Sequence, residues 1–188
     1  LVAPSANPFG YVSPTTAQHV ADRLGDRVPY VLDGGPSAVG IESTIVGWEA
    51  ERPVVYRLGG LPLEKVEALL GERPHVRPST SNPQAPGMLL RHYAPRVPFR
   101  VGDLEVLLSD HNPTKVAVLS LRSAFAAVPA AHQVQLSPTG DLRTAAARLF
   151  AAMRALDALP VEVILAEWMP DEGLGRAVND RLRRAAWG

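Results

Sequence analysis

Two apolar runs bracketing one long amphipathic segment constrain this chain most. "KVAVLSL" (115–121) and "VEVILAEW" (161–168) read as buried strands, rich in β-branched residues. Between them, "DLRTAAARLFAAMRALDAL" repeats apolar residues at helical spacing and puts Leu142, Ala146, Leu149, Met153 and Leu156 on one face. "HQVQL" reads as a further strand and "GLGRAVNDRLRRAA" as a C-terminal helix. Strand, helix, strand, helix in this order predicts a small parallel sheet covered by helices. The second half of the chain is therefore an α/β domain.

The first half has a different texture. Residues 1–3 read as the end of a buried strand running into a hydroxyl-rich loop, "PSANPFGYVSPTT". A strand end of this kind needs neighbours, so the pattern predicts a domain met partway through. Ser13 followed by Pro14 predicts a helix start, with Gly25 as its stop. "VPYVLDGG", "GIESTIVGW" and "PVVYRLG" read as strands, and "PLEKVEALLG" as a short helix closed by glycine. Residues 72–98 carry dense prolines and no lasting period, which predicts an extended, semi-rigid linker.

Composition narrows the chemistry. Nineteen basic residues balance nineteen acidic ones, which argues against a broad nucleic-acid footprint. The absence of cysteine excludes disulfides, thiolate zinc sites and thiol nucleophiles, and fits a cytoplasmic location. No apolar run has membrane-spanning length. GxSxG, HExxH and P-loop signatures are missing, and the five histidines are scattered.

The polar segments admit two readings each. Ser5, Asn7 and Ser13 can hydrogen-bond phosphates, or serve only as turn and cap residues. Ser43 and Thr44 alternate across a strand, so one of them faces whatever cleft the sheet edge lines. Arg57 can clamp a phosphate through its planar fork or form a surface ion pair. "GLG" at 173–175 can present backbone N–H groups to an anion or simply turn the chain into a helix.

Taken in order, PSAN, SPTT, DGG, GIESTIV, YRLG and APGMLLRHYAP resemble the Sua5 branch of the Sua5/YrdC/YwlC family. The resemblance covers nearly the whole chain. It implies the C-terminal half of a YrdC-like α/β catalytic domain (1–72), a proline-rich interdomain linker acting as a lid (73–97), and a small Rossmann-like α/β Sua5 C-terminal domain (98–188). It also implies that a basic N-terminal half of the catalytic domain precedes PSAN, so that the isolated chain is an inactive or weakly active fragment. The implied activity is threonylcarbamoyl-AMP synthesis from L-threonine, bicarbonate and ATP, with Mg²⁺ as counterion, feeding the machinery that makes t6A in tRNA. Position by position, Ser5, Asn7, Ser13, Arg57 and Tyr93 correspond to ATP-binding positions, and Ala3 and Ser43 to threonine-binding ones. Met88 and Leu89 or Leu90 would anchor the lid, with Gly87 as its flexible point. The alternative is a non-catalytic RNA-binding or regulatory YrdC-like module, against which the neutral charge counts.

Overall fold

A computed structural model describes residues 5–77, 89 and 91–187. Elements follow in chain order as α1 (Ala17–Leu24), β1 (Ile45–Glu49), β2 (Arg52–Arg57), α2 (Leu63–Leu70), β3 (His75–Val76), β4 (Phe99–Val101), α3 (Leu104–Ser109), β5 (Val116–Ser120), β6 (Gln133–Gln135), α4 (Leu142–Asp157), β7 (Val163–Ala166) and α5 (Gly175–Ala185). The strands form two sheets. β1 and β2 make an antiparallel hairpin, and β3 joins β2 in parallel. The second sheet has the order β4-β7-β5-β6, with every neighbour parallel. The α/β reading of both halves therefore holds.

The parallel sheet is covered on both faces, as parallel strands require. Val116, Val118, Val163 and Leu165 turn one way, onto Leu104 of α3. Ala117, Leu119, Ile164 and Ala166 turn the other way, onto α4 and α5. α4 starts on Asp141, whose carboxylate accepts from the N–H groups of Arg143 and Thr144. Ala146, Leu149, Met153 and Leu156 are fully buried, so the face expected from the period is the face that packs.

α4 and α5 also organise the first half of the chain. Val12, Ile41 and Tyr93 belong to the same apolar cluster as Leu149, Phe150, Met153, Val178 and Leu182. The hydroxyl-rich loop, the GIEST segment and the tail of the proline-rich stretch thus share one core with the C-terminal helices. The His75–Val76 strand lies within that stretch and extends the first sheet.

Two local expectations fail for physical reasons. α1 begins at Ala17 on a Thr16 cap, not at Ser13-Pro14. Ser13 is unavailable as a cap because its hydroxyl donates to Glu42 at 2.8 Å. "VPYVLDGG" forms no ladder. Among the described residues no strand lies beside it, and Tyr30 and Leu32 stand 88% and 97% exposed. A strand sequence without a neighbour stays an extended loop.

Candidate active site

Residues 42–44 precede β1 and face the turn that follows β2. Glu42 and Thr44 are tied to that turn, and Ser43 to Arg57 at the end of β2. Glu42 accepts the Gly60 N–H at 2.9 Å through its backbone carbonyl. Ser43 receives Arg57 twice, Nε on its carbonyl at 3.0 Å and Nη2 on its hydroxyl at 3.2 Å. Thr44 donates to the Leu61 carbonyl at 2.7 Å and accepts the Leu61 N–H at 3.1 Å. Gly59 permits this approach, because a Cβ there would sit 2.3 Å from the Ser43 carbonyl carbon.

The Glu42 side chain is the hub. One carboxylate oxygen accepts Ser13 Oγ at 2.8 Å, and the other accepts Arg181 Nη2 and Nε at 2.9 and 3.2 Å. Arg181 is fully buried on α5 and donates further to the Leu58 carbonyl and to Asp180. Burial opposes the charge on Glu42, yet the guanidinium and the hydrogen bonds outweigh it and hold its carboxyl below the usual range. Arg181 stays charged despite its burial, because Tyr93, Glu42 and Asp180 surround it.

Above this pair lies Tyr93, only 1% exposed and in the left-handed region at φ 61°. Its ring stacks on Phe150 at 5.2 Å, His92 meets it edge-on at 4.1 Å, and the Arg181 guanidinium sits 5.5 Å from its centroid. Burial pushes its hydroxyl up to about 12, against the opposing pull of the Arg181 guanidinium. The backbone on either side is strapped down. Ala94 N–H donates to the Gly10 carbonyl at 2.9 Å, and Arg184 donates to the Leu89 carbonyl at 2.8 Å. Leu89 thus meets α5. Ala3, Gly87, Met88 and Leu90 lie outside the described residues.

A cavity of about 340 Å³ opens beside the hub, lined by Ser5, Ser13, Ser37, Gly40, Glu42 and Phe150 among others. That volume suits a small-molecule subsite. Asn7 donates to the carbonyls of Pro8 and Tyr11, while its Oδ1 is buried without a hydrogen-bond partner. A buried orphan acceptor is costly and marks a place for a donor. The structure thus brings Ser5 and Ser13 to one cavity and bonds Ser43 to Arg57. Tyr93 sits against Arg181, which holds Glu42.

Behind the loop, Asp157 at the end of α4 pins two segments. It accepts Tyr11 Oη at 2.6 Å, the Arg96 and Val97 N–H groups at 2.7 and 2.9 Å, and Arg96 Nε at 3.2 Å. Arg154 adds bonds to the Val12 and Ser13 carbonyls at 2.6 and 3.2 Å. Burial works against the Asp157 charge, but these donors win and hold its carboxyl below its ordinary value. A depressed carboxyl contributes stability above its unfolded pKa and loses it as pH falls through the folded one. Urea midpoints measured from pH 7 down to 3 should therefore fall steeply below about pH 4. Asp157→Asn should lower the midpoint at pH 7 and flatten that slope; an unchanged slope would exclude Asp157 as a source.

Glu42, Arg181, Arg154 and Asp157 escape a reading of the sequence. The one signal for Arg181 and Arg184 is their spacing from Val178 and Leu182, which places guanidinium groups on the buried face of α5. "GLG" does meet an anion, from the chain itself. The Gly173 N–H donates to Glu64 of α2 at 3.1 Å, and Arg176 pairs with the same carboxylate. Among the described residues no three His, Cys, Asp or Glu side chains converge as a metal cage, and Glu42 is committed to Ser13 and Arg181. These residues do not fit a protein-held Mg²⁺.

Comparison with known proteins bears on this arrangement. The family model described as "Threonylcarbamoyl-AMP synthase, C-terminal domain" matches residues 61–187, and the one described as "Telomere recombination" (Sua5, YciO and YrdC) matches residues 1–59. The threonylcarbamoyl-AMP synthase of Bacillus subtilis (strain 168) is 36% identical over 199 residues, spanning 100% of this chain and 57% of that protein. That of Pyrococcus abyssi (strain GE5 / Orsay) is 38% identical over 203 residues, spanning 99% and 57%. The crystal structure of P. abyssi Sua5 complexed with L-threonine superposes with a TM-score of 0.82 at 35% identity, covering 98% of this chain and 57% of that one. The chain spans just over half the length of these relatives. With the two sheets, the shared core and the match over residues 61–187 in agreement, the chain belongs to the Sua5/YrdC/YwlC family, in its Sua5 branch.

Proposed function

We propose that these residues form part of the nucleotide and threonine site of a threonylcarbamoyl-AMP synthase. The reaction joins L-threonine, bicarbonate and ATP. The threonine amine and bicarbonate give an N-carboxy anion with loss of water. A carboxylate oxygen of that anion attacks the α-phosphorus, the bond to the β-phosphate breaks, and pyrophosphate leaves. The anion is already a nucleophile, so the work left to the protein is positioning, charge neutralisation and exclusion of water.

The observation that carries the reading is the double hydrogen bond from Arg57 to Ser43. It joins a residue assigned to ATP with one assigned to threonine, so the two substrates would meet where these side chains meet. In this reading Ser5, Asn7, Ser13 and Arg57 face ATP. Ala3 and Ser43 face threonine. Tyr93 closes the nucleotide side, held by Phe150 and Arg181. Mg²⁺ would arrive as the counterion of ATP, and the product would pass to the t6A transfer machinery in the cytoplasm. Among the described residues no helix is long and apolar enough to cross a membrane.

Arg57→Ala tests the assignment. The variant is made in a chimera whose remaining portion comes from the B. subtilis relative, because the chain spans 57% of that protein. A charge-assisted bond to phosphate contributes about 1.5–3 kcal/mol, so kcat/KM for ATP should fall by roughly tenfold or more. Threonine affinity measured without ATP should barely move. Unchanged ATP kinetics would make Arg57 a purely structural arginine.

A further inference from the structure

Ser13 offers a ligand only one hydrogen-bonding polarity. Its hydroxyl proton is committed to Glu42 Oε1 at 2.8 Å. A hydroxyl has one proton and two lone pairs, so what remains for a ligand is an acceptor. Glu42 cannot reverse the bond, because its carboxyl is held below the usual range and a carboxylate only accepts. It cannot turn away either. Arg181 Nη2 and Nε fix its other oxygen at 2.9 and 3.2 Å. The direction of the Ser13 proton is therefore set from α5, through a fully buried guanidinium.

The cavity that Ser13 lines matches this polarity. Pro14, Val39, Ile41 and Phe150 give it apolar walls, and among the described residues no lysine or arginine lines it. A triphosphate would find no cation there and, at Ser13, no donor. A flat heteroaromatic base with an exocyclic amine finds apolar surface for its faces and an acceptor for its N–H. Apolar walls with a few placed polar groups are what orient such a ligand.

We infer that Glu42 determines base specificity at the nucleotide site. By holding the Ser13 proton it makes Ser13 an acceptor for the amine of an adenine-type base, against the carbonyl of a hypoxanthine-type one. Arg181 is the positioning residue behind it. This role rests on the proposed reading of Ser13 as facing ATP, and it puts the base at Ser13 rather than a phosphate. Glu42→Gln inverts the polarity. The amide carbonyl must stay on the two Arg181 donors, which leaves the NH₂ against Ser13. Ser13 then accepts from the amide, and its own proton is free to donate to the base.

Titration of the 188-residue chain with ATP and with inosine triphosphate, in which a carbonyl replaces the amine, tests this. The amides of Gly40, Ile41 and Glu42 are followed by NMR. The parent should bind ATP roughly tenfold more tightly, because the inosine carbonyl meets an acceptor. Ser13→Ala should erase that preference by losing affinity for ATP alone. Glu42→Gln should bring inosine triphosphate at least level with ATP. A merely structural Glu42 would weaken both nucleotides by the same factor, and so would a Ser13 that meets phosphate. Either result, or a parent without preference, overturns the inference and leaves the ATP assignment standing. If Glu42→Gln does not fold, the Ser13→Ala comparison decides alone. If neither nucleotide saturates up to roughly 10 mM, the ATP assignment falls and this inference with it.

Discussion

Arg181→Met is expected to destabilise the 188-residue chain by about 3–5 kcal/mol, the range for breaking a buried ion pair from one side. Arg181 is fully buried and supplies two of the bonds that hold the Glu42 carboxylate. Without it, one carboxylate oxygen of Glu42 and the Leu58 carbonyl lose the Arg181 donors together, and Tyr93 loses the cation beside its ring. For a chain of this length the melting temperature should drop by roughly ten degrees. Adding Glu42→Gln removes the stranded charge, so the double variant should recover part of the loss. A single-variant cost below about 1 kcal/mol, the level of an exposed pair, would show that the bridge does not hold the two halves together.

Gly40→Ala should cost roughly 2–4 kcal/mol, from the sum of a disfavoured backbone and a steric overlap. Gly40 has φ 76°, and a Cβ there would stand 2.4 Å from both the Cα and the carbonyl oxygen of Ala147 on α4. Neither partner is the tip of a flexible side chain. The loop and the helix must separate, which pulls the cavity wall at Gly40, Ile41 and Glu42 away from Phe150. Gly34→Ala is the matched control, because nothing lies within 4 Å of its Cβ position and its φ is ordinary. Chemical denaturation of both variants should separate them by most of the predicted cost. Equal midpoints would mean that the loop yields without penalty.

The C-terminal domain was legible because its signals are local and mutually consistent. The α4 period and the flanking β-branched runs agree with how the helix and strands pack. Gly25 and Gly71 end α1 and α2 where the spacing placed them. The start of α1 was misread because Ser13 spends its hydroxyl on a distant carboxylate, which no local pattern records. The 28–35 segment was misread because β-rich composition forms a strand only beside a partner. At the candidate site, the hydroxyls and Arg57 are visible as residue types in a polar loop and at strand ends. The charges that hold them are not. Glu42 meets Arg181, and Tyr11 meets Asp157, only through tertiary packing of α4 and α5 against the first half of the chain. Tyr93 is marked only by the family resemblance, and its burial between Phe150 and Arg181 cannot be read from the proline-rich stretch around it.

The most direct test of the proposed function is pyrophosphate release from ATP by the chimera with the B. subtilis relative, measured with each substrate omitted in turn. If residues 1–188 supply a working part of a threonylcarbamoyl-AMP synthase site, release requires both L-threonine and bicarbonate, and Arg57→Ala suppresses it. A folded chimera that releases no pyrophosphate, or releases it equally without threonine, would contradict the assignment.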